Sequence, residues 1–270
     1  MLISIITPTF NSEKTIEKNV NSIINQTYKN FEHIIVDNQS KDNTIGIINK
    51  IYKDNNLENC LHIISETDSG ISDAFNKGII ASKGDVIGIL NSDDAYYNNR
   101  VFERVAEAFS ENDIIFVHGN IYFHDPIYGS NIRRPRLCPI AVTMPYNHPS
   151  MFIRKEIYKK YGLYDVRYNY AMDYALIVRY EKEIHGFRSK GKYIDGEPIA
   201  VMYFGGASWN NELHSIEETK EVLKKYGFWN ASARRAYFFR KIRTILKKYL
   251  SLYGLNFIVK IWRNIKWKNN

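Results

Sequence analysis

The run Asn91-Ser92-Asp93-Asp94 closes an apolar stretch, DVIGIL, that spans residues 85–90. Two adjacent carboxylates repel each other, so they gain from proximity only when a cation joins them. Hard cations such as Mg²⁺ or Mn²⁺ take one or two carboxylates from a protein and complete their shell with phosphate and water oxygens. The competing reading is a solvated turn, since Asn, Ser and Asp all favour turns. No HExxH or clustered Cys/His set offers a zinc site. Asp37 ends a second apolar run, either as another turn carboxylate or as an acceptor for a ribose or nucleobase. Thr7 and Pro8 end a first such run and would line the same pocket.

The elements that would position these residues are legible from periodicity. LISIITPTF, FEHIIVDNQS, LHIIS, DVIGIL and DIIFVHGNIYF read as five successive strands. Helical patterns fall between them, in NSEKTIEKNVNSIINQT, DNTIGIINKIY, SGISDAFNKGIIAS and RVFERVAEAF. Such alternation predicts right-handed βαβ units and a largely parallel sheet covered on both faces. Ligands of open α/β sheets sit outside the carboxyl ends of the strands. There TPTFN, DNQSKDN and NSDD would converge. Beyond residue 126 the pattern becomes loop-rich, then gives helices in RKEIYKKYG, YAMDYALIVRYEKEI and NELHSIEETKEVLKKYG and a strand in IAVMYF.

Four segments in this order, SIITPTFN, IIVDNQSKDNT, ETDSGISDAFNKGI and GDVIGILNSDD, resemble the family 2 glycosyltransferases. HPSMFIRKEIYKKYGLYDVRYNYAMDYAL resembles the acceptor half of the same family. The resemblance covers roughly residues 2–205. It implies an α/β fold of the GT-A type, with a nucleotide-sugar-binding half (1–110) and an acceptor-binding half (111–210); beyond it, residues 211–270 are expected to form a helical basic region by their own charge and periodicity. It implies inverting transfer of a sugar from a nucleotide diphosphate sugar, a UDP-sugar by the family's habit. The acceptor would be a hydroxyl of a glycan or lipid-linked molecule in surface polysaccharide synthesis. The family's Asp-any-Asp metal motif falls on Asn91, Ser92 and Asp93, so Asn91 replaces the first acid and would hydrogen-bond the ribose. Asp93 becomes the first Mn²⁺ or Mg²⁺ ligand. Asp94 is the second candidate, or else orients the loop.

Inverting transfer needs a base for the acceptor hydroxyl. The resemblance places it at Asp173, with Met172 where relatives carry another acid and Ala175 where they often carry an aspartate. On its own, Asp173 would read as a helix N-terminal acid. His148 would shape a loop near the donor, or be structural. Lys77 would meet the diphosphate, or be a solvated helix residue. Asp68 is a weaker donor contact.

The chain has 270 residues and a formal net charge of +8. Residues 222–270 hold 13 Lys/Arg and no acid, leaving 24 basic and 29 acidic groups before them. This basic tail repeats Phe238, Ile242, Ile245, Leu246, Tyr249 and Leu252 at helical spacing, with Trp262 and Trp267 beyond. It predicts a helix on an anionic membrane surface through residues 234–268. The alternative is packing on the body or on a second subunit as a homodimer. No nucleic acid is expected, for want of a recognised module. Cys60 and Cys138 are too isolated for a metal motif and read as reduced thiols. No signal-peptide pattern opens the chain, and no stretch reaches about 20 apolar residues. A cytoplasmic protein, peripheral on the inner face of the cell membrane, is expected. The rivals are a sugar nucleotidyltransferase, disfavoured because TPTFNSEK lacks glycine, and a non-catalytic membrane- or nucleic-acid-bound scaffold.

Overall fold

A computed structural model describes residues 1–261, apart from 112, 128, 137, 204–210, 256 and 260. Its seven-stranded sheet has the order β10-β6-β9-β4-β1-β2-β3. The strands are β1 (Ile3–Thr9), β2 (Phe31–Asp37), β3 (Leu61–Ser65), β4 (Val86–Ile89), β6 (Phe116–Gly119), β9 (Phe152–Arg154) and β10 (Gly191–Ile194). Strands β4, β1, β2 and β3 run parallel, as the βαβ pattern requires. β9 alone runs antiparallel to its two neighbours, and β10 is parallel to β6. Residues on both sides of position 110 therefore share one sheet.

Successive side chains of the buried strands serve opposite faces. Ile6, Ile34 and Val36 pack with Phe75 and Ile79 of α3 (Ile71–Ala81) and with α6 (Met172–Glu183). Ile35 packs with α1 (Ile16–Ile24) and α2 (Thr44–Asp54), through Ile16, Val20, Ile48 and Tyr52. Ile3, Ile5 and Val86 join Phe102 and Val105 of α4 (Val101–Ala108). Gly70 opens α3 at φ +123°, a backbone state that side chains disfavour.

A smaller sheet, in the order β5-β11-β7-β8, combines β5 (Ala95–Tyr96), β7 (Ile121–His124), β8 (Asn131–Arg133) and β11 (Ala200–Tyr203). The expected fifth strand is thus two strands in different sheets. The break falls at Asn120, buried and donating its amide to the Gly196 carbonyl. A continuous apolar run cannot reveal a strand that crosses between layers, because both halves are buried. Among the described residues, the second half also contains α5 (Lys155–Tyr161), α7 (Glu212–Lys225) and α8 (Ala231–Leu252). α6 packs on α7, and α7 on α8.

Candidate active site

The carboxyl end of β4 carries the first part of the site. Asn19, on the buried face of α1, donates its amide to the carbonyls of Asn91 (2.8 Å) and Asp94 (3.0 Å) and so fixes the loop between them. Ser12 and Ser92 share a hydroxyl hydrogen bond of 2.9 Å. Asn91 Oδ1 is buried and without a hydrogen-bond partner. Asp94 is almost fully buried, and its Oδ1 accepts from the Tyr203 N–H of β11. Asp93 is half-buried.

Among the described residues neither Asp93 nor Asp94 forms an ion pair. Burial pushes both carboxyls above their ordinary range, and the Asp93 charge raises Asp94 further. No cluster of three or more Asp, Glu, His or Cys able to hold a metal occurs among the described residues. The donor set therefore fits a hard cation that shares two protein ligands with phosphate oxygens, and does not fit an all-protein cage.

The second part lies across β4. A cavity with room for about one water is lined by Ile89 of β4, His148, Met151, Tyr158, Tyr164 and Asp173, among others. Asp173 sits in the first turn of α6, where the helix dipole favours an anion. Glu218 of α7 holds the chain just ahead of it, accepting the N–H groups of Asn169, Tyr170 and Ala171. His148 Nδ1 lies 3.1 Å from Asp173 Oδ1, though without hydrogen-bond alignment. Asp173 Oδ1 and His148 Nε2 are both buried and lack hydrogen-bond partners. The Asp173 side chain keeps 30% exposure, which leaves Oδ2 as its accessible oxygen. Burial raises the Asp173 pKa, and His148 partly opposes the rise. The His148 ring stacks on Phe75 at 5.7 Å. Asn147 and Ser150 strap its turn to the backbone of Gly119.

Other expected contacts are placed differently. The Thr7 side chain is fully buried and meets His33 Nε2 at 2.9 Å, so it faces the sheet interior and not a pocket. Asp37 accepts from Thr9, from the Ser40 N–H and hydroxyl, and from Ser65. Those four bonds occupy its four lone-pair sites, so its carboxylate organises the loops and has none to spare for a base. Lys77 pairs with Glu66 at 2.9 Å and lies 3.6 Å from Asp73, which already neutralise it. Asp68 accepts the Gly70 N–H and caps the turn before α3. Pro8 is half-buried, and Phe10, which follows β1, is 59% exposed. Phe10, Asn19 and Glu218 escaped the sequence reading. Phe10 could have been found as a lone aromatic among polar strand-end residues; the others need the fold to be seen.

The profile of the family described as "Glycosyl transferase family 2" matches residues 4–177. Glycosyltransferase GlyG of Streptococcus pneumoniae is 36% identical over 129 residues, 48% of this chain and 42% of that protein. The chain spans about half the length of the curated relatives it matches at this level. S. aureus TarS 1-349, solved in complex with UDP-GlcNAc, superposes with a TM-score of 0.67 at 19% identity, over 84% of this chain and 65% of that one. The mannosyltransferase PcManGT from Pyrobaculum calidifontis, solved with GDP-Man and Mn²⁺, gives 0.63 at 12% identity, over 99% and 83%. With over half its length matched by the family profile and its sheet shared with solved members of the GT-A class, this chain belongs to glycosyl transferase family 2.

Proposed function

We propose that the chain transfers a sugar, with inversion, from a nucleoside diphosphate sugar to a hydroxyl of a glycan or lipid-linked acceptor in surface polysaccharide synthesis. One observation carries the reading: two carboxylates pressed together by burial, Asp93 and Asp94, follow β4, and a third with an accessible oxygen, Asp173, lines a cavity with Ile89 at the end of the same strand. The Asp93–Asp94 side suits the diphosphate, and the half-buried Asn91 is the residue beside it for a ribose hydroxyl. Phe10 presents a face on which a nucleobase could stack, a contact worth about 1–3 kcal/mol. Asp93, with Asp94 as second ligand, would hold Mn²⁺ or Mg²⁺, which when bound would neutralise charge developing on the leaving diphosphate. Asp173 Oδ2 takes the proton of the attacking hydroxyl, while His148 steadies the carboxylate in its ionised form. The Glu218 clamp fixes where that oxygen stands, and position is part of the rate.

UDP-sugars are the first donors to test, with GDP-mannose beside them. Thermal shift with Mn²⁺ and each sugar nucleotide tests the donor side. A shift that needs both nucleotide and Mn²⁺, and that Asp93→Ala removes, is expected. An undiminished shift in Asp93→Ala would refute the assignment of the cation to this loop.

A further inference from the structure

Helix α8 is attached to the body by its less apolar side. Ala233, Tyr237 and Thr244 are its buried residues. Lys241 pairs with Glu217 at 3.0 Å and Lys247 with Glu212 at 2.5 Å, both acids belonging to α7. Phe238, Ile242, Ile245, Leu246, Tyr249 and Leu252 are all exposed, Leu252 by 77%. At 100° per residue these six fall within an arc of about 120°, roughly opposite the buried side. The apolar stripe thus points away from the protein.

Its borders decide what covers it. Arg234, Arg235 and Lys248 are exposed along or beside the stripe, and the helix contains no acid. A second copy meeting it face to face would set cations against cations, which disfavours an isologous dimer. Four of the six stripe residues, Ile242, Ile245, Leu246 and Leu252, are aliphatic and offer nothing to stack on bases, which makes nucleic acid the poorer fit. A surface that is negative at its headgroups and apolar beneath them satisfies both parts of the pattern. Among the described residues no helix is long and apolar enough to cross a membrane. We infer that α8 lies in the interface of an anionic lipid bilayer, its apolar stripe inserted and its outer cations on the headgroups. α7 supports α8 and also clamps the chain ahead of Asp173 through Glu218. A lipid-linked acceptor would accordingly arrive on the side braced to the base, a consequence that rests on the function proposed above; vesicle binding does not.

The test is co-sedimentation of the whole chain with phosphatidylcholine vesicles, with and without about 30% phosphatidylglycerol. Binding to the anionic vesicles alone, weakened by salt, is expected. Ile242→Ser/Leu246→Ser/Tyr249→Ser should lower partitioning by at least about tenfold. Arg234→Glu/Arg235→Glu/Lys248→Glu should lower it by about fivefold or more per residue. Nucleoside diphosphate release in lipid-free buffer should stay unchanged in both variants, so loss of the fold is told apart from loss of the surface. Equal binding to neutral vesicles, or no binding at all, would overturn the inference. So would a dimer in sedimentation velocity that the serine variant disperses.

Discussion

Replacing Asp173 by Asn exchanges one oxygen for an amide at nearly constant volume, so packing around Tyr158 and Tyr164 should persist. The amide cannot accept the hydroxyl proton. A positioned general base contributes about 10²–10⁴-fold, or roughly 2.7–5.4 kcal/mol of barrier at 1.36 kcal/mol per decade. The structure argues that this loss falls on chemistry and not on donor binding, because Asp173 stands on α6 and the Asp93 loop on β4. It also argues that the fold should not suffer. The raised pKa of Asp173 means its folded-state contribution favours the protonated form and is lost as pH rises through that pKa. Once ionised, the group loses more to desolvation than it gains from His148, so Asn should remove no net stabilisation. The assay is release of nucleoside diphosphate from a sugar nucleotide with Mn²⁺, water serving as acceptor, run beside thermal shift and nucleotide titration. Expected are a fall of at least about 10² in kcat, unchanged donor affinity and an unchanged or higher Tm. In the native chain kcat should decline as pH falls, at a pH above the titration of an exposed aspartate, because the base must be ionised. A variant turning over within about threefold of the native rate would refute the assignment of the base.

Asn19→Ala removes two hydrogen bonds to the Asn91 and Asp94 carbonyls and should cost about 1–3 kcal/mol in urea denaturation. It should also raise the donor KM more than it lowers kcat. Glu218→Ala strips three N–H groups of one carboxylate and should destabilise by about 1.5–3 kcal/mol. Here kcat should fall more than donor affinity, since the clamp precedes Asp173; equal losses in both would count against it. His33, fully buried between Tyr52 and Thr7, is held down from 6.5 to about 3 by burial. Between those values the unfolded chain binds the proton and the folded chain does not. Stability must therefore fall as pH drops from about 6.5 towards 3, by up to about 5 kcal/mol from this residue. His118, lowered to about 4 by burial, acts in the same direction. Denaturation at a series of pH values should show the slope, and His33→Gln should flatten much of it.

What the sequence determined by itself is the set of local patterns. The alternation of apolar runs with amphipathic segments specified β1 to β4 and the helices between them, because burial on two faces leaves continuous apolar strands. Carboxylates placed immediately after β4 could be seen as a site for the same reason: a strand's end is defined by its own residues. The resemblance of ordered motifs then pointed to the family and to Asp173. Tertiary structure alone decided which polar atoms remain available. Asp37 and Lys77 looked free in one dimension, yet Ser65 and Glu66, distant in sequence from Asp37 and near Lys77 only after folding, occupy them. The run from 113 to 123 read as one strand because hydrophobicity records burial but not which sheet does the burying. His148 and Asp173 stand 3.1 Å apart only because β9, α5 and α6 fold back onto β4. The amphipathic character of α8 was written in its residues, whereas which side faces the body is seen only in the fold, where Ala233, Tyr237 and Thr244 are buried and Lys241 and Lys247 pair with Glu217 and Glu212 of another helix. Periodicity is a property of neighbours along the chain; the spending of lone pairs and charges is a property of neighbours in space, and chemistry depends on the latter.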